Sequence, residues 1–185
     1  MRSSCVAALL LAAVFGFGGC TMVLSEFEPA REVICFASAK ISLKDAVEAA
    51  EKQGGRAIDA HYHQADELGC LVNRPGYYDV TLLDRGNLIF VAVDIHSSEV
   101  ASRPSGGTFW DKTGQYLGRI FASDPADRAR IASTVALKMP DAIATAEKAS
   151  GRAMKAYIDS KGGIPGYTVK LVERGKVRMA WVDGG

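Results

Sequence analysis

The sequence predicts an α+β protein formed by tandem duplication of one unit, in which helices pack on an antiparallel β-meander. Two observations support this prediction. Residues 45–60 and 141–156 are identical at nine of sixteen aligned positions, and a repeat of this kind governs every later interpretation of the fold. In both segments a helical spacing of apolar residues is followed by strict alternation of apolar and polar residues, which is typical of a strand.

The repeat extends beyond these two segments. Residues 78–86 align with residues 167–175 after a change of length, and the seven extra residues of the first copy lie between His61 and Tyr77. We therefore predict a first unit with an additional hairpin at 29–120 and a second unit at 121–185.

The N-terminal residues have the pattern of an export signal. Arg2 precedes an apolar run that is too short to span a bilayer stably, and small residues then lead to Cys20. We expect a signal peptide at 1–19 and a tether at 20–28. The pattern also resembles a bacterial lipoprotein signal, so we expect lipidation of Cys20 and an anchored protein of the periplasm or cell envelope. Secretion without a lipid is the alternative.

The number of cysteines is consistent with an exported protein. Removal of Cys5 with the signal and lipidation of Cys20 would leave Cys35 and Cys70 as an even pair in an oxidising compartment. The second copy has Ile131 in place of Cys35 and lacks the insert that carries Cys70. We predict a disulfide between the two. The alternative is that Cys35 is a small buried residue and Cys70 an unpaired loop thiol.

The charges argue against one class of partner. Of 22 basic residues only Arg2 lies in the signal, so the exported chain keeps 21 basic and 21 acidic residues. Nucleic acid and acidic polymers require a basic surface, and we expect neither as a partner.

Each helix of the predicted unit has recognisable boundaries. Acid–Pro–Ala at 28–30 and at 124–126 predicts two helix starts. Ser42 with Asp45 three residues on predicts an N-cap. Gly54–Gly55 and Gly151 should end the repeated helices. Pro140 predicts two separate helices in the second copy.

The strands follow from the period of two. Ile58, Ala60 and Tyr62 should point inward, with Asp59, His61 and His63 on the opposite face. Tight turns are predicted at 84–87 and 173–176, each with a glycine suited to a positive φ. We expect residues 97–107 to form a polar linker and residues 109–120 a further hairpin.

The segments AVEAAEK, GGRAIDA, YYDVTLL and VAVD, and their counterparts AIATAEK, SGRAMKA, YTVKLV and AWVD, resemble a PepSY module. The resemblance covers most of 40–95 and 137–183. PepSY units occur in propeptides of secreted metallopeptidases and in free-standing envelope proteins, and the family is proposed to restrain peptidases. The duplicated unit is also similar to β-lactamase-inhibitor-like and small outer-membrane-assembly lipoprotein folds.

No pattern in the sequence indicates catalysis. We find no H-E-x-x-H stretch, no nucleophile–base set and no phosphate-binding glycine loop, and we expect a non-enzymatic protein without a cofactor. The one spacing that suits a metal is His61-x-His63, with Asp59 on the same strand face. The alternative interpretation of these residues is an exposed polar face.

The leading functional expectation is contact with a protein partner, which the resemblance suggests is a secreted or periplasmic peptidase. Without a basic surface, binding should depend on apolar and aromatic groups. The candidates are Trp110, Tyr77 and three residues expected to point outward, Ile89, Val91 and Val93. The alternative is that the last three are covered by other parts of the chain. Trp181 is expected in the core. A metal-binding accessory protein and a structural envelope lipoprotein are the other functional hypotheses.

Overall fold

In the computed structural model, residues 32–64, 76–103, 125–149 and 151–185 are described. The helices are residues 32–36 (α1), Leu43–Glu51 (α2), Pro125–Ala132 (α3) and Met139–Ala149 (α4). The strands are Arg56–His63 (β1), Tyr77–Asp84 (β2), Asn87–Asp94 (β3), Val100–Arg103 (β4), Arg152–Lys161 (β5), Ile164–Glu173 (β6) and Lys176–Asp183 (β7).

The seven strands form one sheet in the order β4-β3-β2-β1-β5-β6-β7, and every neighbouring pair is antiparallel. The predicted α+β class with antiparallel meanders is confirmed. The two meanders meet where β1 pairs with β5, and Ala60 lies opposite Ala156 there. These two residues are 96 positions apart, which is the offset of the sequence repeat.

The core lies between one face of this sheet and the helices α2 and α4. Both helices turn a stripe of small and apolar residues to the sheet, including Ala46 and Ala50 in α2 and Ala142 and Ala146 in α4. Because alanine has a short side chain, it lets these helices approach the strands closely. The predicted inward strand residues are confirmed as buried: Ile58, Ala60, Tyr62, Tyr78, Val80, Leu82, Met154, Ala156, Ile158, Tyr167, Val169 and Leu171.

Residues that correspond in the repeat make corresponding contacts. The Tyr78 hydroxyl donates to the carbonyl of Ile41 at 3.0 Å, and the Tyr167 hydroxyl donates to the carbonyl of Leu137 at 2.8 Å. The backbone N–H of Ala57 donates to Glu51 Oε1, as that of Ala153 does to Glu147 Oε1. A register shift follows Ala57 in β1 and Ala153 in β5.

Two arginines link the halves of the sheet reciprocally. Arg56 on β1 donates from Nη2 to the carbonyl of Leu137 at 2.6 Å and from Nη1 to that of Ala132 at 2.9 Å. Arg152 on β5 donates to the carbonyl of Ile41 and lies over the ring of Phe36. Each arginine therefore donates to a backbone carbonyl of the other half, and at Ile41 and Leu137 this bond adds to the one from a tyrosine hydroxyl.

The predicted helix boundaries are confirmed within the described residues, and the start predicted at 28–30 lies outside them. Ser42 caps α2 in a capping box with Asp45, and α3 and α4 are separate helices. Gly151 has φ +79, and an added Cβ would lie 2.7 Å from the carbonyl oxygen of Val172. The position thus requires glycine both for its backbone conformation and for its space.

One expectation about the connections is wrong. Val100–Arg103 lies in the stretch predicted as a linker but pairs with Phe90–Val93 of β3 as a short edge strand. Four residues are too few to show alternation, which explains why the sequence did not reveal it.

Several predictions concern residues outside the described ranges. They are the signal peptide at 1–19, the tether at 20–28, the unit boundary at 120–121 and the hairpin at 109–120. Within the described ranges, no helix has the length and apolarity that crossing a membrane requires.

Candidate metal site on the outer face of the sheet

The outer face is the sheet face that points away from α2 and α4. In the first half it carries Asp59, His61 and His63 of β1 and Asp79 of β2, all half-buried. Their counterparts by the repeat offsets are Lys155, Tyr157, Asp159 and Thr168. The same backbone therefore presents two different sets of side chains.

Three side chains of the first half form a group that can hold a metal ion. His61 and His63 lie two residues apart on β1, and Asp79 lies directly opposite His61 on β2. Their potential ligand atoms all lie within 4.8 Å of one another. The two imidazoles were predicted from the strand period, whereas Asp79 was missed.

Asp59 lies outside this group of three potential ligands. It shares the face with the histidines, but its Oδ1 lies 3.3 Å from Nδ1 of His61, and its Oδ2 forms an ion pair with Arg128 of α3. Both of its oxygens thus have partners on the protein. Asp59 can therefore act as a hydrogen-bond partner of a potential ligand, and its role as a direct metal ligand stays a prediction.

The charges around Asp59 keep it ionised. Burial alone would raise the pKa of this carboxyl, but the hydrogen bond with His61 and the charges of His61, Arg128 and Lys155 outweigh burial and lower the pKa. A carboxylate at this position can accept a hydrogen bond from an imidazole across the whole physiological range.

Two imidazoles and one carboxylate are a donor set for first-row transition metals such as zinc and copper. Three protein ligands leave at least one coordination position for water or another ligand. In the second half the counterparts of His61, His63 and Asp79 are Tyr157, Asp159 and Thr168, which include a carboxylate but no imidazole. The donors are therefore specific to the first half of the sheet.

The outward orientation predicted for three apolar residues is wrong. Val91 and Val93 are fully buried, and Ile89 packs against the core. The tight turn at Arg85–Gly86 places Val91 opposite Val80, so both point to the helices. They are core residues and are unavailable to a partner.

The remaining aromatic candidates have mixed outcomes. Tyr77 is half-buried on the outer face, where its ring lies 4.9 Å from that of His63. Trp110 lies outside the described residues. Trp181, expected in the core, lies half-buried on β7 opposite Thr168, on the outer face.

Apolar side chains are exposed at one end of the sheet. Val177 and Met179 on the outer face of β7 are 39% and 58% exposed. They alternate with Trp181 along the strand, and β7 pairs with β6 on one side at the end of the strand order. We call Val177, Met179 and Trp181 the β7 stripe.

The predicted covalent sites are not described by the structure. Cys35 is almost wholly buried, but Cys70 and Cys20 lie outside the described ranges. The Cys35–Cys70 disulfide and the lipid on Cys20 stay predictions.

Comparison with known proteins places few constraints on identity. No protein-family model matches the chain, and no curated protein matches it. A solved structure of a protein named as a candidate lipoprotein from Clostridium difficile 630 is similar over 80% of this chain and 88% of that chain, at 16% identity and a TM-score of 0.37. This likeness is too distant to support an argument about function, and PepSY membership stays a resemblance.

Proposed function

We propose that this protein is a non-enzymatic binding protein that holds one divalent transition-metal ion on its outer face through His61, His63 and Asp79. The observation that carries the proposal is the convergence of two imidazoles and a carboxylate within 4.8 Å. The pairing of β1 with β2 brings them together, so the site is built on strands and not on loops.

The spacing suits an ion of this class after small movements of the side chains. Zinc binds imidazole nitrogen at about 2.0–2.1 Å, which in a tetrahedral site brings donors to about 3.4 Å from one another. Rotation about the side-chain bonds of His63 and Asp79 can close the remaining distance, because both side chains are only half-buried. Larger, oxygen-preferring ions such as calcium are disfavoured because two of the three donors are imidazole nitrogens.

The test is titration of the exported form of the protein with Zn²⁺ and with Cu²⁺ by calorimetry. We expect one ion per chain in the wild type and no binding in the His61→Ala/His63→Ala variant. His96→Ala is the matched control, because His96 is exposed and lies outside the group. Equal binding by the wild type and the double variant would refute the site.

We further propose that the chain is exported and anchored to an envelope membrane by a lipid on Cys20. The support is the sequence of residues 1–20, with its short apolar run and small residues before the cysteine. Cys20→Ala should move the protein from the membrane fraction to the soluble fraction. A wild-type protein that is already soluble would contradict the anchor.

We also propose that the fold arose by tandem duplication of a PepSY-like unit. The support is the coincidence of sequence identity with repeated contacts, such as Tyr78 to Ile41 and Tyr167 to Leu137. The pairing of Ala60 with Ala156 is the register that two copies related by a twofold axis would adopt.

A second candidate function is contact with a protein partner, and the β7 stripe favours it. Exposed apolar residues on an edge strand are a common feature of binding sites. By the PepSY resemblance the partner would be an exported peptidase that the protein restrains. Trp110 and Tyr77 stay candidates for the same contact.

The two functions can be separated by experiment. Purified protein is added to peptidases exported by the same cell, with Met179→Asp as the variant and Ile164→Asp, similarly exposed on β6, as the control. Inhibition that Met179→Asp alone abolishes supports the partner contact. Unchanged peptidase activity at micromolar protein would refute peptidase restraint and leave the metal proposal intact.

A further inference from the structure

We infer that Asp59, fixed by Arg128, is the positioning residue that makes Nε2 of His61 the metal donor; the inference rests on the proposed metal site. Asp59 would not touch the ion. It would determine which imidazole nitrogen carries the proton and how the ring is oriented.

The geometry at His61 points to one tautomer. Its Nδ1 lies 3.3 Å from Oδ1 of Asp59, and a carboxylate can only accept a hydrogen bond. Nδ1 must therefore carry the proton and donate, which leaves the lone pair of Nε2 for an ion. This arrangement of carboxylate, histidine and metal is a common means of fixing a ligand.

Arg128 prevents Asp59 from turning away. Its Nη1 binds the second carboxylate oxygen, and the two side chains are only 9% and 15% exposed. The guanidinium also lies 4.9 Å from the ring centre of Tyr157 on β5. Arg128 is thus held between the two halves, so α3 of the second half orients a ligand of the first.

Replacement of Asp59 by asparagine tests this directly. Arg128 requires an acceptor, so the amide oxygen of the introduced asparagine would face Arg128 and its NH₂ group would face His61. An NH₂ group donates to Nδ1 and moves the imidazole proton to Nε2, which blocks the metal position.

The experiment combines calorimetry with nitrogen NMR of the histidine ring. In the metal-free wild type, we expect the Nδ1–H tautomer at His61; in Asp59→Asn, we expect the Nε2–H tautomer and Zn²⁺ affinity about 10–100-fold weaker. Asp159→Asn, at the counterpart of His63 on β5, is the matched control and should bind Zn²⁺ like the wild type.

The outcomes distinguish the inference from the proposed function. A wild type that binds neither Zn²⁺ nor Cu²⁺ would refute the metal site itself. A wild type that binds, together with an Asp59→Asn variant of equal affinity, would overturn the positioning role alone. If Asp59→Asn does not fold, nitrogen NMR of the metal-free wild type still tests the inference. Observation of the Nε2–H tautomer at His61 would then overturn the positioning role of Asp59.

Discussion

The two halves of the sheet share a backbone but differ on the outer face. Asp59 and its partner Arg128 are matched in the repeat by Lys155 and Glu32, so both members of the pair have the opposite charge. Lys155 lies near Glu32, which instead forms an ion pair with Lys170 at 3.5 Å. His61 corresponds to Tyr157, whose ring lies below Arg128.

This difference shows which residues the fold requires. The inward strand residues, the glutamates that bind the start of β1 and β5, and the reciprocal arginines occur in both halves. The histidines occur in one. A fold that forms the second half without them does not need them for stability, and this supports a function for the first-half face.

The largest expected difference between the halves is covalent. Cys35 should form a disulfide with Cys70, whereas Ile131 fills the same place in the second half. Reduction should lower the free energy of unfolding by about 3–4 kcal/mol, because the bridge restricts the unfolded chain.

Urea unfolding with and without reductant measures this effect, and Cys35→Ala/Cys70→Ala is the control that should show no response to reductant. Thiol counting on denatured, unreduced protein gives the independent answer. Two reactive thiols from these positions would end the prediction.

Arg128 and Glu32 are counterparts in the repeat, and each forms an ion pair of different burial. Arg128→Ala would leave the carboxylate of Asp59, whose side chain is 15% exposed, without this cation, and we expect a loss of about 3 kcal/mol of unfolding free energy. Glu32→Ala removes a more exposed pair, with side chains 39% and 28% exposed, and should change stability by about 0–1 kcal/mol.

Urea unfolding of both variants tests the difference, with Arg130→Ala on the exposed side of α3 as control. Similar losses for Arg128→Ala and Glu32→Ala would mean that the two charge pairs are energetically equal. The two halves would then differ in the side chains on their outer faces but not in the stability that these charge pairs contribute.

Much of each unit could be predicted from the sequence because its signals are local. Capping by Ser42, the tight turns and the inward strand residues depend on neighbours within a few positions. Pairing of β1 with β5 could not be predicted, since it joins residues 96 positions apart and no local pattern specifies which strand becomes an edge.

The candidate site was predicted only in part, because two of its residues follow from a local pattern and the third from the pairing of two strands. The period of two placed His61 and His63 on one face, but Asp79 depends on the register between β1 and β2, and the chain between them does not fix that register. Val91 was misplaced because residues 88–93 are apolar without a break. Counting from the turn at Arg85–Gly86 would have placed it correctly.

Asp59 in the first half and Lys155 in the second should make the stability of the protein depend on pH in the acid and the alkaline range, respectively. The folded-state pKa of Asp59 is lowered, so its contribution is fully present above its unfolded pKa of about 3.9 and is lost as pH falls through the lower folded value. The pKa of Lys155 is lowered by burial, so the unfolded state binds the proton more tightly and stability rises with pH toward about 10.4.

Unfolding free energies measured across pH test both directions. In Asp59→Asn the unfolding free energy should depend less on pH in the acid range. In Lys155→Met it should depend less on pH in the alkaline range. A variant that flattens the opposite side would contradict the assignment.

The smallest expected effect concerns the starts of α2 and α4. Ser42 accepts from the backbone N–H of Asp45 at 3.1 Å, and the Asp45 carboxylate accepts from the Ser42 N–H at 3.1 Å. In α4 the exposed Lys138 precedes the helix at the corresponding position, with Asp141 in the place of Asp45. A cation there opposes the helix dipole and supplies no acceptor.

Ser42→Ala should therefore lower the unfolding free energy by about 1 kcal/mol, and Lys138→Ser should raise it by less than about 1 kcal/mol by completing a second capping box. Lys148→Ser, at the end of α4, is the control that introduces serine without a cap. The pKa of Asp45 is lowered by its hydrogen bond with Ser42. Urea unfolding measures all three variants. Unchanged stability of Lys138→Ser would mean that Pro140 holds the start of α4 in a geometry that a capping serine does not improve.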